Sequence, residues 1–228
     1  MDADRKWVIV RIDGKIAAIS TDYRLLASIS AGLSAGSHIY KDRNKVGRTR
    51  QKTEGVSLYR EITAVTVGFE EVWKLRQELK WEDMMLYGTD FQKAVWRKLW
   101  ELTHHRMDGD EMNGAKGVGG KIAEEQPEAR LISYSDFAGL CSNRAGVRAV
   151  AHAIGLNPVS IVIPCHLVIP KESIDKITDI QKKAESTIFK GDDLCLNSIL
   201  NDSSIDFGEY SHGRELKRML IRKELTGF

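Results

Sequence analysis

The sequence predicts an α+β protein. A small β-sheet domain, residues 1–85, precedes a mostly helical domain, residues 86–228. Three observations predict this. Two apolar, β-branched runs near the N-terminus are joined by an Asp-Gly pair. From Gly88 onward, apolar residues recur at helical spacing rather than alternating. Two short segments around residues 135–154 read as helices joined by a tight turn.

The elements follow in order. Residues 7–12 (WVIVRI) and 15–19 (KIAAI) are strands, and Asp13-Gly14 between them favours a hairpin turn because glycine tolerates positive φ. Residues 41–52 (KDRNKVGRTRQK) hold six basic residues and one acid, open to two readings: a solvated loop or a phosphate-contacting patch. Residues 61–67 (EITAVTV) form a third strand. Phe69, Val72, Trp73 and Leu79 place an amphipathic helix over 69–80. The domain boundary falls near 81–88. A Thr or Asp before FQKAVWRKLWELT caps a helix whose apolar stripe is Phe91, Val95, Leu99 and Leu102, with Trp96 beside it. Residues 107–129 have loop composition. Residues 171–206 read as a polar insertion with a short helix near 175–188.

The chain has 228 residues, enough for a real core, with 29% charged and 42% hydrophobic residues. No window approaches the roughly 20 apolar residues of a membrane span. The opening MDADRKWVIV does not read as a secretory signal. Three scattered cysteines, Cys141, Cys165 and Cys195, argue against a disulfide framework and for the cytoplasm. No CxxC or HxxxH spacing suggests zinc. A net charge of +2 does not advertise a nucleic-acid binder, but the average hides an uneven distribution. Acids concentrate in 107–129, and basic residues gather in 41–52 and along one helix.

That helix runs from Arg144 to Ile154 and ends at Gly155. Val147, Val150, Ala151 and Ile154 face inward, while Arg144, Arg148 and His152 form an adjoining stripe. Ala145 and Ala149 lie opposite the core face. Small residues there let a backbone approach a flat partner while the arginines reach phosphates or bases. A surface helix with solvated arginines fits equally well. Asn157-Pro158 then makes a turn, VSIVI a short strand, and Pro164 ends it before Cys165-His166. A cysteine ending a buried strand is commonly inert. A neighbouring histidine offers a base to a thiol that is otherwise mostly protonated at neutral pH. Adjacent strand residues point to opposite faces, so such a pair needs a turn here.

Four blocks, in order, resemble the O6-alkylguanine-DNA alkyltransferases (methylated-DNA–protein-cysteine methyltransferases). They are GTDFQKAVWRKLWEL, ISYSDFA, RAVAHAIGLNPVSIVIPCH and FGEYSHGRELKRMLIRKE, pieces that make up about a quarter of the chain and are spread over residues 88–224. The resemblance implies a ribonuclease-H-like N-terminal domain and a winged helix-turn-helix alkyltransferase domain, with insertions at 107–129 and 170–207. It implies that Cys165 takes the alkyl group from O6 of guanine, that His166 is its base through a water, and that Glu224 orients and charges the histidine. Tyr134 would donate to the departing purine, and Arg148 would fill the gap left by the flipped nucleotide. Asn157 would tie the helix-turn-helix to the active-site segment. Ser211 and the backbone of Cys165 and Val168 would line the guanine pocket, with Ala145 and Ala149 on the minor-groove face. The implied partner is double-stranded DNA containing O6-alkylguanine. No metal or organic cofactor is implied, and the protein is expected to be a cytoplasmic (nucleoid-associated or nuclear) monomer.

Three departures stand out. Leu167 replaces the family's usual Arg after the Cys-His pair, removing hydrogen bonds that help fix the loop. Residues 170–207 lengthen a loop that is short in the family, and His212-Gly213 stands where many members carry a glycine pair. A damage sensor that flips the base without transfer, a transcriptional regulator and a Cys-His hydrolase are the alternatives. Retention of Cys165, His166 and Glu224 argues against the first, and nothing in the sequence suggests an oxyanion hole or peptide cleft for the last.

Overall fold

A computed structural model describes residues 5–21, 61–104, 131–185 and 192–226. The basic run 41–52 and the loop 107–129 lie outside the described residues. The chain divides into two compact units. One comprises Met1–Trp96 with Leu156–Ile163, and the other Arg97–Gly155 with Pro164–Phe228.

In the first unit, β1 (Trp7–Ile12) and β2 (Lys15–Ser20) form the expected hairpin. Asp13 and Gly14 take φ of 51° and 79°, the two positive angles that a turn matching the strand twist requires. β3 (Ile62–Val67) pairs antiparallel with β1, giving the order β2-β1-β3. Asp13 anchors its start: its N–H donates to Glu61 O at 2.9 Å, and its carboxylate accepts from Glu61 N at 3.1 Å. β1 and β2 are buried, whereas β3 is largely exposed. Helix α1 (Phe69–Glu78) begins where Glu71 reaches back to Gly68 N at 2.6 Å.

Helix α2 (Asp90–Trp100) is capped by Thr89. Its Oγ1 accepts from Gln92 N at 3.2 Å, while Gln92 Oε1 accepts from Thr89 N at 2.8 Å. The buried stripe is Val95, Trp96, Leu99 and Trp100. Phe91, expected on it, is 39% exposed. The stripe is thus rotated toward the bulky indoles, whose burial removes the most apolar surface from water.

The expected strand at 159–163 does not form. Val159 makes only an isolated bridge to Ile19, with Ile19 N donating to Pro158 O at 2.9 Å and Ser160 N to Ile19 O at 3.1 Å. The chain then turns, with Ile161 at φ 72°. Asn157 explains the turn. Its amide nitrogen donates to Ile163 O at 2.8 Å, and its Oδ1 accepts from Val159 N at 3.0 Å. One side chain thereby takes backbone groups that a strand ladder would use. The β-branched run serves burial instead, since Val159, Ile161, Val162 and Ile163 are all fully buried. A left-handed isoleucine costs about 1–3 kcal/mol, so the surrounding core must hold it.

The second unit contains the two helices expected around residues 135–154. A two-residue strand, β4 (Ile132–Ser133), leads into helix α3 (Tyr134–Leu140). Ser133 caps it, its hydroxyl accepting from Asp136 N at 3.0 Å. A turn through Ser142 and Asn143 enters a 3-10 turn, Arg144–Gly146, and then helix α4 (Val147–Gly155), which packs on α3. Its buried face is Val150, Ala153 and Ile154. Val147 and Ala151, expected to face inward, are half-buried, so the helix is turned toward Ala153. Gly155 ends the helix as its last residue without adopting positive φ.

Strand β5 (Val168–Ile169) pairs in parallel with β4. The polar insertion folds as two helices, α5 (Lys171–Glu185) and α6 (Asp192–Asn201), followed after a loop by α7 (Arg214–Thr226). Ile177, Ile199, Leu200, Ile205 and Phe207 form one core with Ile169 and Ile221. At roughly 1.5–3 kcal/mol per buried side chain, this segment is part of the unit's stability rather than an appendage. Arg218 of α7 locks it, donating to Leu200 O at 3.2 Å and Ile205 O at 3.0 Å. Among the described residues, no helix is long and apolar enough to cross a membrane.

Candidate active site

Pro164 precedes a 3-10 turn, Cys165–Leu167, closed by Leu167 N donating to Pro164 O at 3.1 Å. With about three residues per turn, neighbouring side chains no longer point to opposite faces, so this is the turn that a Cys-His pair needs. All three residues are buried: Cys165 is 8% exposed, His166 and Leu167 not at all. Leu167, where a guanidinium was expected from the family pattern, sits in the core as an apolar residue.

His166 Nε2 lies 2.7 Å from Glu224 Oε1, on the last turns of α7. Both side chains are shielded from solvent. A buried carboxylate against one ring nitrogen orients the imidazole and favours its protonated form. The His166 ring also meets Tyr210 edge to face at 6.5 Å, and Tyr210 meets His212 the same way at 5.4 Å. His212 is half-buried and lies one aromatic ring from His166.

Tyr134 opens α3 and is half-buried. Burial pushes its phenol above the ordinary value, and the negative charges of Cys165 and Asp206 push it the same way. It is therefore a neutral O–H donor within the electrostatic reach of Cys165. Arg148, Ala145 and Ala149 are all exposed, the arginine and Ala149 on α4 and Ala145 in the turn before it. Ser211 is exposed in the loop before α7. Val168 is buried directly after the turn. Asn157 falls in the other unit, where it shapes the loop leading to Pro164 through the two hydrogen bonds described above.

Lys217 was not anticipated. It is 1% exposed, and its ammonium donates to Val168 O at 2.9 Å and Glu209 O at 3.5 Å. Burial pulls it down to about 8, against the opposing pull of Cys165, Asp206 and Glu209. Lys217 and Glu224 stand two helical turns apart on α7, on the stripe that buries Leu220 and Ile221. That spacing was the available signal, since a lysine in an inward stripe needs a reason to be there.

The set combines a buried thiol, an imidazole–carboxylate pair, a buried ammonium and a neutral phenol. It can activate a sulfur nucleophile and donate to a leaving group. Among the described residues, no cluster of three or more His, Cys, Asp or Glu side chains is arranged to hold a metal ion.

Residues 121–185 match the family model of the 6-O-methylguanine DNA methyltransferase, DNA binding domain. The stretch that carries Tyr134, Arg148, Cys165 and His166 lies wholly inside this match. Over these residues the chain is similar to the DNA-binding domain of the 6-O-methylguanine DNA methyltransferase family.

Among members of this family, the chain is 33% identical over 91 residues to a probable methylated-DNA–protein-cysteine methyltransferase of Acanthamoeba polyphaga mimivirus, covering 40% of this chain and 45% of the relative. It is 34% identical over 110 residues to the inducible methylated-DNA–protein-cysteine methyltransferase of Bacillus subtilis, covering 43% of this chain and 48% of the relative. The chain spans about half the length of the curated relatives it matches. The crystal structure of the O6-methylguanine-DNA methyltransferase from Pyrococcus kodakaraensis aligns over 96% of this chain and 91% of its own, at 20% identity and a TM-score of 0.43.

Proposed function

We propose that the protein repairs DNA by irreversible transfer of a methyl or small alkyl group from O6 of guanine to Cys165. The carrying observation is the buried His166–Glu224 contact at 2.7 Å, set directly beside Cys165 in a turn. His166, its far nitrogen fixed by Glu224, takes the thiol proton through a water. The Cys165 sulfur attacks the alkyl carbon. The new S–C bond forms as the C–O6 bond breaks, and the electron pair of that bond passes to the purine. Tyr134 donates to the purine as it takes up charge, and the proton held by His166 returns through solvent to the released guanine. The product thioether has no ready leaving group, so each molecule acts once.

The substrate is double-stranded DNA containing O6-alkylguanine, since α4 and the turn before it expose Arg148 beside the small Ala149 and Ala145. A target atom inside a duplex requires the base to be flipped out, with Arg148 filling the gap. Asn157 fixes the loop entering the site, and Ser211 with the backbone of Cys165 and Val168 lines the guanine pocket. On this reading residues 1–85 are the ribonuclease-H-like domain and 86–228 the winged helix-turn-helix alkyltransferase domain, acting as a monomer without cofactor. The retained thiol, base and carboxylate argue against a sensor that binds without transfer.

The test uses a duplex with one O6-methylguanine carrying a radiolabelled methyl group. Label should move from DNA to protein in a stoichiometry approaching one and then stop. Continued turnover, or binding with no label on the protein, would overturn the reading.

A further inference from the structure

We propose that the α5–α6 segment is a brace for the His166–Glu224 pair, and that Arg218 is the positioning residue through which it acts. The inference rests on the reading of Cys165 as a nucleophile served by that pair. The pair's effect on the thiol is measurable without DNA.

His166 and Glu224 ride on two elements, the 3-10 turn and α7, and a 2.7 Å contact between them needs both held in fixed register. Glu224 lies in the last turn of α7, where a helix frays unless its side chains are held. The segment that separates the two residues in sequence packs on both elements. Its core of Ile177, Ile199, Leu200 and Ile205 takes in Ile169, in the strand that leaves the turn. The same core takes in Ile221 of α7, with Leu225 packed against it. Ile221 and Leu225 stand one helical turn apart and flank Glu224, which lies on the adjoining stripe. One apolar core thus grips the chain just after His166 and on either side of Glu224.

Polar contacts fasten the same join. Arg218 is half-buried, with its guanidinium over the Phe207 ring at 5.1 Å. Its Nη1 donates to Leu200 O at 3.2 Å and its Nη2 to Ile205 O at 3.0 Å. The planar fork spans two carbonyls in one fixed geometry, which a lysine ammonium reproduces only in part. One turn further along, Arg222 Nη2 reaches Asn201 Oδ1 at 3.4 Å. From α5, Ser173 donates to Asp206 O and Lys176 to Ser204 O, each at 2.6 Å. The 200–206 loop is held by its carbonyls between α5 and α7. Arg218 supplies two of those bonds from the helix that carries Glu224, so its loss loosens the join where it bears on the pair.

The test is a double-mutant cycle on Arg218 and Glu224. Its readout is the rate of Cys165 carboxamidomethylation by iodoacetamide at neutral pH, followed peptide by peptide by mass spectrometry. Cys141 is the internal control and should react alike in every variant, and far-UV circular dichroism with urea unfolding checks that each is folded in the assay. Arg218→Met should slow Cys165 about tenfold, because a displaced Glu224 supports the imidazolium–thiolate pair less well. In the Glu224→Gln background the same change should cost under about threefold, since a residue that acts through Glu224 has nothing left to act on. Arg218→Lys, which keeps the charge but not the fork, should show an intermediate loss. If Arg218→Met does not fold, Arg218→Lys carries the cycle, and no loss there overturns the inference. A loss under about threefold in Arg218→Met overturns it. So does a loss of about threefold or more in the Glu224→Gln background, which marks Arg218 as a packing residue only. If wild type takes no methyl from DNA while the coupling of Arg218 to Glu224 remains, the alkyltransferase reading fails and the brace stands.

Discussion

His166 and Glu224, 58 residues apart in sequence, meet at 2.7 Å with both side chains shielded from water. The contact joins the 3-10 turn that carries Cys165 to the far end of α7. Glu224→Gln keeps the shape and removes the charge that favours imidazolium. The single-turnover transfer rate should fall roughly hundredfold, in the range that general-base assistance contributes. Circular dichroism should show the fold retained. A rate within threefold of wild type would contradict the role given to the pair.

Asn157 answers for two buried backbone groups, Ile163 O and Val159 N. Asn157→Ala leaves both without that partner and releases a loop in which Ile161 is held at φ 72°. The loss should be about 2–4 kcal/mol in urea unfolding, from two buried polar groups at about 1–3 kcal/mol each, with relaxation of Ile161 returning part of it. A change under about 0.5 kcal/mol would show that the loop is held by burial alone.

Lys217 gives stability a defined pH dependence. Its folded value of about 8 lies below the ordinary 10.5. Below pH 8 the lysine is charged in both states, and the folded state bears the full burden of burying it. Between about 8 and 10.5 the folded state sheds its proton first, so stability rises with pH. Cys141 and Tyr134, raised above about 9 and 10 by burial, work in the opposite direction only above those values, which leaves pH 8 to 9 as the clear part of the window. In that window Lys217→Met should flatten the rise. At pH 7 the variant should be more stable by up to roughly 3 kcal/mol. A wild-type profile that falls across pH 8 to 9, or a variant with the same slope there, would contradict this.

Arg148 is exposed on α4, on the face given to DNA. If it fills the gap of a flipped nucleotide, Arg148→Ala should slow transfer from duplex DNA by about ten- to a hundredfold, a loss of roughly 1.4–2.8 kcal/mol. Transfer from free O6-methylguanine, which needs no flipping, should be unchanged. Equal losses on both substrates would assign the arginine to the fold or the chemistry instead.

Much of this was legible in the sequence, for reasons local to each element. The hairpin followed from Asp13-Gly14, since a two-residue turn at positive φ restricts the choice of residues. Thr89 announced its helix by the hydrogen bond its hydroxyl makes, whereas the Ser133 cap was not read from the sequence. The strand expected at 159–163 failed because one side chain, Asn157, captured the backbone that propensity assigned to a ladder, and β-propensity cannot see such a competitor. The 171–206 segment looked polar because its apolar residues are sparse. Ile177, Ile199, Leu200 and Ile205 nonetheless converge on Ile221, a long-range meeting that no local window contains. The nucleophile and its base were adjacent and visible as a pair. Glu224 was named only through the family pattern, and Lys217 was passed over because lysines are read as solvated by default.

The most direct measurement is intact mass after incubation with duplex DNA bearing a single O6-methylguanine, followed by peptide mapping. The transfer reading expects a gain of one methyl group, confined to the peptide that holds Cys165 and absent from Cys165→Ala. Unchanged mass after prolonged incubation, or a Cys165→Ala variant that gains the methyl equally well, would contradict it.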